Sequence, residues 1–215
     1  MSTLPLAAND GGARFPGFSS ASQSKHWDTA TSAVVMGRLG RPSDIRFFTP
    51  AQEAAAGALC NQLLDQRQEP RVPVVALVDA RLAAKETDGW HYEDMPSDAQ
   101  AWARTLAALD EDALLRCGAV FATAAWNEQA RLLQSIQNRG EGPWHGMPAQ
   151  QVWSLWTRYA CTAFYSHPWA WDEIGFAGPA YPRGYKNLGL DAREPFEVRD
   201  IHPLDDPTRA KAGPS

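Results

Sequence analysis

The chain has 215 residues, of which 44% are hydrophobic and 21% are charged, and its formal net charge is −5. This length and apolar content suit one folded domain or a closely packed pair, and they exclude a disordered acidic chain. The acidic balance argues against nucleic-acid binding, and no apolar run approaches the roughly 20 residues of a membrane-spanning helix. We therefore expect neither nucleic-acid binding nor direct membrane insertion.

The first 46 residues carry no sustained hydrophobic period and are interrupted by glycine and proline. We expect an irregular N-terminal arm over residues 1–46, in which Phe15, Phe18 and Trp27 could anchor the segment to another surface. The arm shows neither a basic start followed by an apolar run nor paired arginines, and the three cysteines of the chain lie far apart. These features predict a cytoplasmic location.

Regular structure is predicted from residue 47 onwards. Thr49 is a predicted N-cap, Pro50 a predicted first helical residue, and Gln52 completes a capping box, so a helix should run to about Gln66. Ser97 starts a second capping-box pattern, and a short helical stretch is expected over residues 114–121. One long helix should run from about residue 148 to 165 and end before Pro168.

Apolar residues at helical spacing support this interpretation, and no period-two alternation long enough for a sheet occurs. The predicted inward faces are Ala55, Leu59 and Leu63; Val74, Val78 and Leu82; Trp102, Leu106 and Leu109; Trp126, Leu132, Leu133 and Ile136; and Val152, Leu155, Trp156, Tyr159 and Ala163. The predicted fold class is therefore all-α, with a small helical bundle over residues 47–166.

From residue 167 the helical pattern stops, and proline, glycine and aromatic residues dominate. Burying six large aromatic side chains contributes on the order of 10–15 kcal/mol. Ordering about 35 residues costs roughly 1–2 kcal/mol each, so this segment needs extensive further contact. That contact is with the bundle of the same chain or with another protein. Because irregular segments flank the bundle at both ends, we favour a partner and expect residues 167–215 to be an extended, partner-wrapping tail.

A search for catalytic chemistry finds few patterns. The chain has no HExxH pair, no P-loop, no GxGxxG fingerprint and no GxSxG elbow. His167, Asp172 and Glu173 lie close together in sequence and leave open an independent enzyme, although the two carboxylates more simply cap or pair locally. We predict no catalytic residue, no metal site and no cofactor in this chain.

The run WTRYACTAFYSHPWAWDEIGFAGPAYPRGYKNLG resembles the signature of the gluconate 2-dehydrogenase subunit 3 family. An aromatic helix ends in YSHP at residues 165–168, and GFAGPAYPRGY follows at residues 175–185. The segments RFFTPAQEAAAGALCNQLL and NEQARLLQSI also fit, so the resemblance covers residues 46–198. It implies an all-helical accessory subunit without catalytic residues.

The resemblance also implies a partner. Members of this family are small subunits that stabilise, and often help to export, a large flavoprotein of the glucose–methanol–choline (GMC) oxidoreductase group, which oxidises a sugar or an alcohol. FAD, sometimes with an iron–sulfur cluster, is carried by the large subunit, and a cytochrome can complete the complex. Many members carry a twin-arginine signal. This chain shows none, so a periplasmic location would need co-export with a partner that carries the signal.

Five aromatic residues are the predicted partner contacts, because buried rings dominate interface energetics. They are Trp169, Trp171, Phe176, Tyr181 and Tyr185. The alternative is a self-contained binding module, in which the tail folds back over its own bundle and forms an aromatic pocket for a sugar-type ligand.

Overall fold

The computed structural model describes residues 15, 18–90, 92–187 and 192–198. Seven α-helices and a two-stranded ladder lie in this part of the chain. In chain order they are α1 (Thr29–Gly37), α2 (Pro50–Leu63), α3 (Val74–Ala83), α4 (Asp98–Cys117), α5 (Trp126–Gln137), β1 (Pro143–Trp144), β2 (Met147–Pro148), α6 (Ala149–Tyr165) and α7 (Pro168–Ile174). Short 3-10 helices cover Ser20–His26 and Phe121–Thr123. The predicted all-α class is confirmed.

The chain forms two compact units. Residues Arg41–Ser166 form what we call the central unit, and the described parts of Met1–Gly40 and His167–Ser215 form the terminal unit. The predicted division into an arm, a bundle and a tail stays a prediction. The described parts of the arm and the tail belong to one and the same unit.

The central unit is a helical bundle in which α2 and α6 each contact α3, α4 and α5 as well as each other. The predicted inward face of α6 is confirmed, because its five residues are all buried. Trp102 of α4 is buried between the rings of Phe48 and Tyr159, which meet it edge-to-face. Aromatic residues therefore fill the middle of this unit.

Two buried carboxylates of the central unit, Asp79 and Asp98, have specific hydrogen-bond partners. The carboxylate of Asp79 is fully buried and accepts the backbone N–H groups of Arg46, Phe47 and Phe48 at 2.7–2.9 Å. The hydroxyl of Tyr159 donates to Asp98 at 2.7 Å, and burial is the largest cause of a raised pKa of this phenol. These bonds fix the segment that precedes α2 and join α4 to α6.

Most predicted helix boundaries are confirmed, and several details differ. The Thr49–Gln52 capping box is present, whereas the side chain of Ser97 makes no capping hydrogen bond. The expected separate stretch over 114–121 is divided: its first residues form the last turn of α4, which Gly118 ends in a left-handed conformation (φ +73°), and Phe121 begins a 3-10 helix. Leu63 and Trp126 are half-buried, not fully buried.

Two helices occupy segments expected to be irregular. Asp28 caps α1, since its carboxylate accepts the N–H of Thr31 at 2.7 Å. Pro168, expected only to stop the preceding helix, is the first residue of α7. Both helices are short, and α1 buries only Val35, so neither produces the repeated apolar spacing that a sequence pattern detects. Among the helices of the described residues, none has the length and apolarity that crossing a bilayer requires.

Candidate partner-binding site

The helix α7 carries the first two predicted contacts and begins with a histidine cap. The Nδ1 atom of His167 accepts the backbone N–H of Trp169 at 3.2 Å, so the ring proton is on Nε2, which donates to the carbonyl oxygen of Arg38 at 2.9 Å. His167 is only 1% exposed, and this burial lowers the pKa of its imidazole. A neutral histidine therefore fixes α7 to the end of α1.

Trp171 is a core residue of the terminal unit. It is 6% exposed and clusters with Trp27 and Val35, which are 7% and 3% exposed. The structure places the ring against the N-terminal segment of the same chain, and the partner contact predicted at this position stays a prediction. Burial in this cluster is by itself a sufficient reason for a large apolar residue at this position.

Two glycines let the chain turn beside this cluster. Gly178 has φ +78°, and a Cβ atom there would overlap the ring of Trp27. Gly175 has φ +69°, and its Cβ would lie 2.5 Å from Val198 and 2.7 Å from Phe15. Both positions thus require glycine for the backbone conformation and for the close approach of neighbouring side chains. They set the direction of the segment that carries the remaining predicted contacts.

Three predicted contacts expose their rings. Phe176 is 40% exposed, Tyr181 66% and Tyr185 52%. Phe176 leans edge-to-face on Trp171, with ring centroids 5.4 Å apart, and Tyr185 packs on Phe196 at 5.8 Å. Trp169 is half-buried and contacts the ring of His167. The segment thus presents aromatic surface that rests on the core of the unit.

Polar contacts that the sequence analysis missed hold this segment in place. Glu194 is 6% exposed and accepts the backbone N–H groups of Lys186 and Asn187. The guanidinium of Arg183 lies 3.6 Å from the ring centroid of Phe196 and donates to Gln23 at 3.0 Å. A glutamate separated by seven or eight residues from the amides that it binds leaves no pattern in a sequence.

Of the three residues that left an enzyme open, His167 and Asp172 have structural contacts. Asp172 accepts the backbone N–H of Ser20 at 2.6 Å, and the Ser20 hydroxyl donates to the carbonyl of Pro168 at 3.2 Å. Burial, followed by the charge of Asp172, raises the pKa of Glu173. Within the described residues, no group of three or more His, Cys, Asp or Glu side chains is arranged to hold a metal ion.

Comparison with known proteins gives one match. The family model of gluconate 2-dehydrogenase subunit 3 matches residues 50–178, which is more than half of the chain. The chain belongs to the gluconate 2-dehydrogenase subunit 3 family. Searches of curated proteins and of solved structures found no match.

Family membership assigns the chain an accessory role as a subunit of a multi-subunit dehydrogenase complex. The matched range contains α2 to α7 and ends at Gly178, so it is shorter than the predicted resemblance over residues 46–198. It includes Trp169, Trp171 and Phe176, while Tyr181 and Tyr185 lie beyond it. The most exposed rings of the candidate site therefore stand outside the part that the family model describes.

Proposed function

We propose that this subunit 3 protein is the non-catalytic small subunit of an FAD-dependent dehydrogenase of the GMC group, which oxidises a sugar or an alcohol. In this proposal the large subunit supplies the flavin, an iron–sulfur cluster where one is present, and the substrate site. A cytochrome is a candidate third component. The small subunit stabilises the large one and assists its folding.

The observation that carries the proposal is the set of exposed rings on the terminal unit. Phe176, Tyr181 and Tyr185 are 40–66% exposed although the backbone beneath them is fixed by Trp171, two glycines and Glu194. Large rings that are already positioned lose little conformational entropy when a partner covers them. Such residues are typical anchors of protein–protein interfaces.

The structure refines the choice of variants for a test. Replacing Tyr181 and Tyr185 by alanine removes two rings that are more than half exposed, of which Tyr185 also packs on Phe196, so we expect only a small loss of stability of the isolated chain while co-purification of a flavoprotein drops at least about ten-fold. Trp171→Ala is a different perturbation, because removing a buried tryptophan costs about 3–5 kcal/mol of stability.

The experiment is affinity purification of tagged chain from its native host, with the flavin absorbance of the eluate measured against the amount of tagged chain. The matched control is Tyr92→Ala, which removes a 39% exposed tyrosine of the central unit. Equal flavin recovery with the Tyr181/Tyr185 double variant and the wild type would contradict the assignment of these rings.

A self-contained binding module remains the second candidate, because the described part of the tail packs against the N-terminal segment of the same chain. This candidate expects the purified chain to bind a sugar-type ligand without a flavoprotein, which isothermal titration calorimetry against monosaccharides and polyols measures directly. The cytoplasmic location stays a prediction.

A further inference from the structure

A small cavity of about 260 Å³ lies beside α7 in the terminal unit. It is lined by the N-terminal segment, by the C-terminal end of α1 with the residues that follow it, and by α7. The lining residues are Ser19, Ala21, Met36, Leu39, Pro168, Trp169 and Asp172. Sites for drug-sized ligands and cofactors usually measure about 300–1,000 Å³, so this cavity suits one long side chain better than a flavin.

The cavity combines apolar walls with one carboxylate. Met36 is 37% exposed and Trp169 is half-buried, so both leave apolar surface uncovered. Of the described residues that line the cavity, only Asp172 carries a charge. This combination fits a side chain with an alkyl stem and a cationic head, because the stem can pack on the apolar walls while the head meets the indole ring and the carboxylate.

Asp172 uses one of its oxygen atoms within the chain. Its Oδ1 atom accepts the backbone N–H of Ser20 at 2.6 Å, whereas Oδ2 accepts no hydrogen bond from the described residues. A carboxylate has two acceptor oxygens, so Asp172 can hold Ser20 and bind a cation at the same time. Because Asp172 is half-buried, its attraction to a cation is screened less than that of a fully solvated carboxylate.

We propose that this cavity binds one lysine or arginine side chain of the flavoprotein subunit. The inference rests on the proposed function, because it names the chemistry by which the terminal unit recognises that partner. Local charge complementarity selects the occupant, since the carboxylate attracts a cation and the other lining residues are uncharged. Trp169 and Asp172 also belong to residues 50–178, the range that the family model matches.

The chain offers matched variants for a test. Asp172→Asn removes the charge and keeps an oxygen atom that can accept the N–H of Ser20. Asp28→Asn is its control, because it makes the same change in the same unit at a carboxylate that also accepts a backbone N–H but lies outside the cavity. Met36→Lys places a cation of the chain itself in the cavity, and Val34→Lys adds the same charge to α1 at a 59% exposed residue outside it.

The measurement is recovery of flavoprotein on immobilised full-length chain, with circular dichroism used to select folded variants. We expect Asp172→Asn and Met36→Lys each to lower recovery about ten-fold, and both control variants to match the wild type. Raising the salt concentration should weaken the binding of the wild type and should have less effect on the binding of Asp172→Asn.

Wild-type recovery by folded Asp172→Asn would overturn this inference, and so would wild-type recovery by Met36→Lys. Equal losses with Asp172→Asn and Asp28→Asn would overturn it as well, because the net charge and not the cavity would then matter. If the Tyr181/Tyr185 variant still loses the flavoprotein in the same assay, the proposed function stands without the cavity. Failure of the wild-type chain to retain any flavoprotein would overturn the proposed function, and this inference with it.

Discussion

Gly178 shows how one residue controls the candidate site. Its positive φ is strained for any other residue, and a side chain there meets the ring of Trp27. We expect Gly178→Ala to destabilise the terminal unit by about 2–5 kcal/mol, the sum of left-handed backbone strain and overpacking. Urea unfolding followed by tryptophan fluorescence measures this change.

Gly184→Ala is the matched control, since Gly184 has φ +68° and open space where a Cβ would lie. We expect this variant to lower the free energy of unfolding only by the backbone strain, about 1–2 kcal/mol. Equal destabilisation by the two variants would show that the contact with Trp27 contributes nothing. The sequence predicts a glycine-rich turn here, but it cannot reveal which glycine faces a ring from a segment about 150 residues earlier.

The same limit applies to the five predicted contacts. Aromatic content identifies the segment correctly as one that needs packing, yet it does not separate Trp171, which is buried, from Tyr181, which is exposed. Trp171 is buried because it packs on Trp27 and Val35, which are remote from it in sequence. The hydrogen bonds that Glu194 accepts from the backbone leave no sequence pattern either.

At the scale of elements, the sequence predicts the helices of the central unit well, because each buries a long apolar face. It misses α1 and α7, which are nine and seven residues long. Only the residues that cap these two helices indicate them in the sequence. The end signals exist, with Asp28 before α1, and His167, Pro168 and Gly175 bounding α7. A search for caps in the absence of periodicity would have found both helices.

The cap of α7 makes the stability of the terminal unit depend on pH. The pKa of His167 in the folded chain lies below its ordinary value of 6.5, so the unfolded chain binds a proton more readily than the folded one. The contribution of His167 to the free energy of unfolding is therefore fully present above pH 6.5, and it is lost as the pH falls below 6.5. Protonation of Nδ1 would also remove the acceptor that caps Trp169.

We therefore expect the wild-type chain to melt at a lower temperature at about pH 5.5 than at about pH 7.5, and His167→Asn to show a smaller difference, since asparagine caps without titrating. Thermal melting followed by circular dichroism at the two pH values tests this. The other four histidines are common to both proteins, so an identical pH difference in both would exclude His167 as the source.

At the scale of the whole molecule, the described parts of residues Met1–Gly40 and His167–Ser215 belong to one unit, while Arg41–Ser166 forms another. The described part of the tail contacts the N-terminal segment of the same chain. Among the described residues of the terminal unit, the rings of Phe176, Tyr181 and Tyr185 are exposed. In the proposed function, a larger subunit covers these rings.

The most direct test of this account is the composition of the complex that the tagged wild-type chain forms in its native host. We predict that the chain elutes by size-exclusion chromatography together with a larger polypeptide and that the shared peak carries a flavin absorption spectrum. Elution of the chain alone, as a stable monomer that melts cooperatively and carries no flavoprotein, would contradict the account.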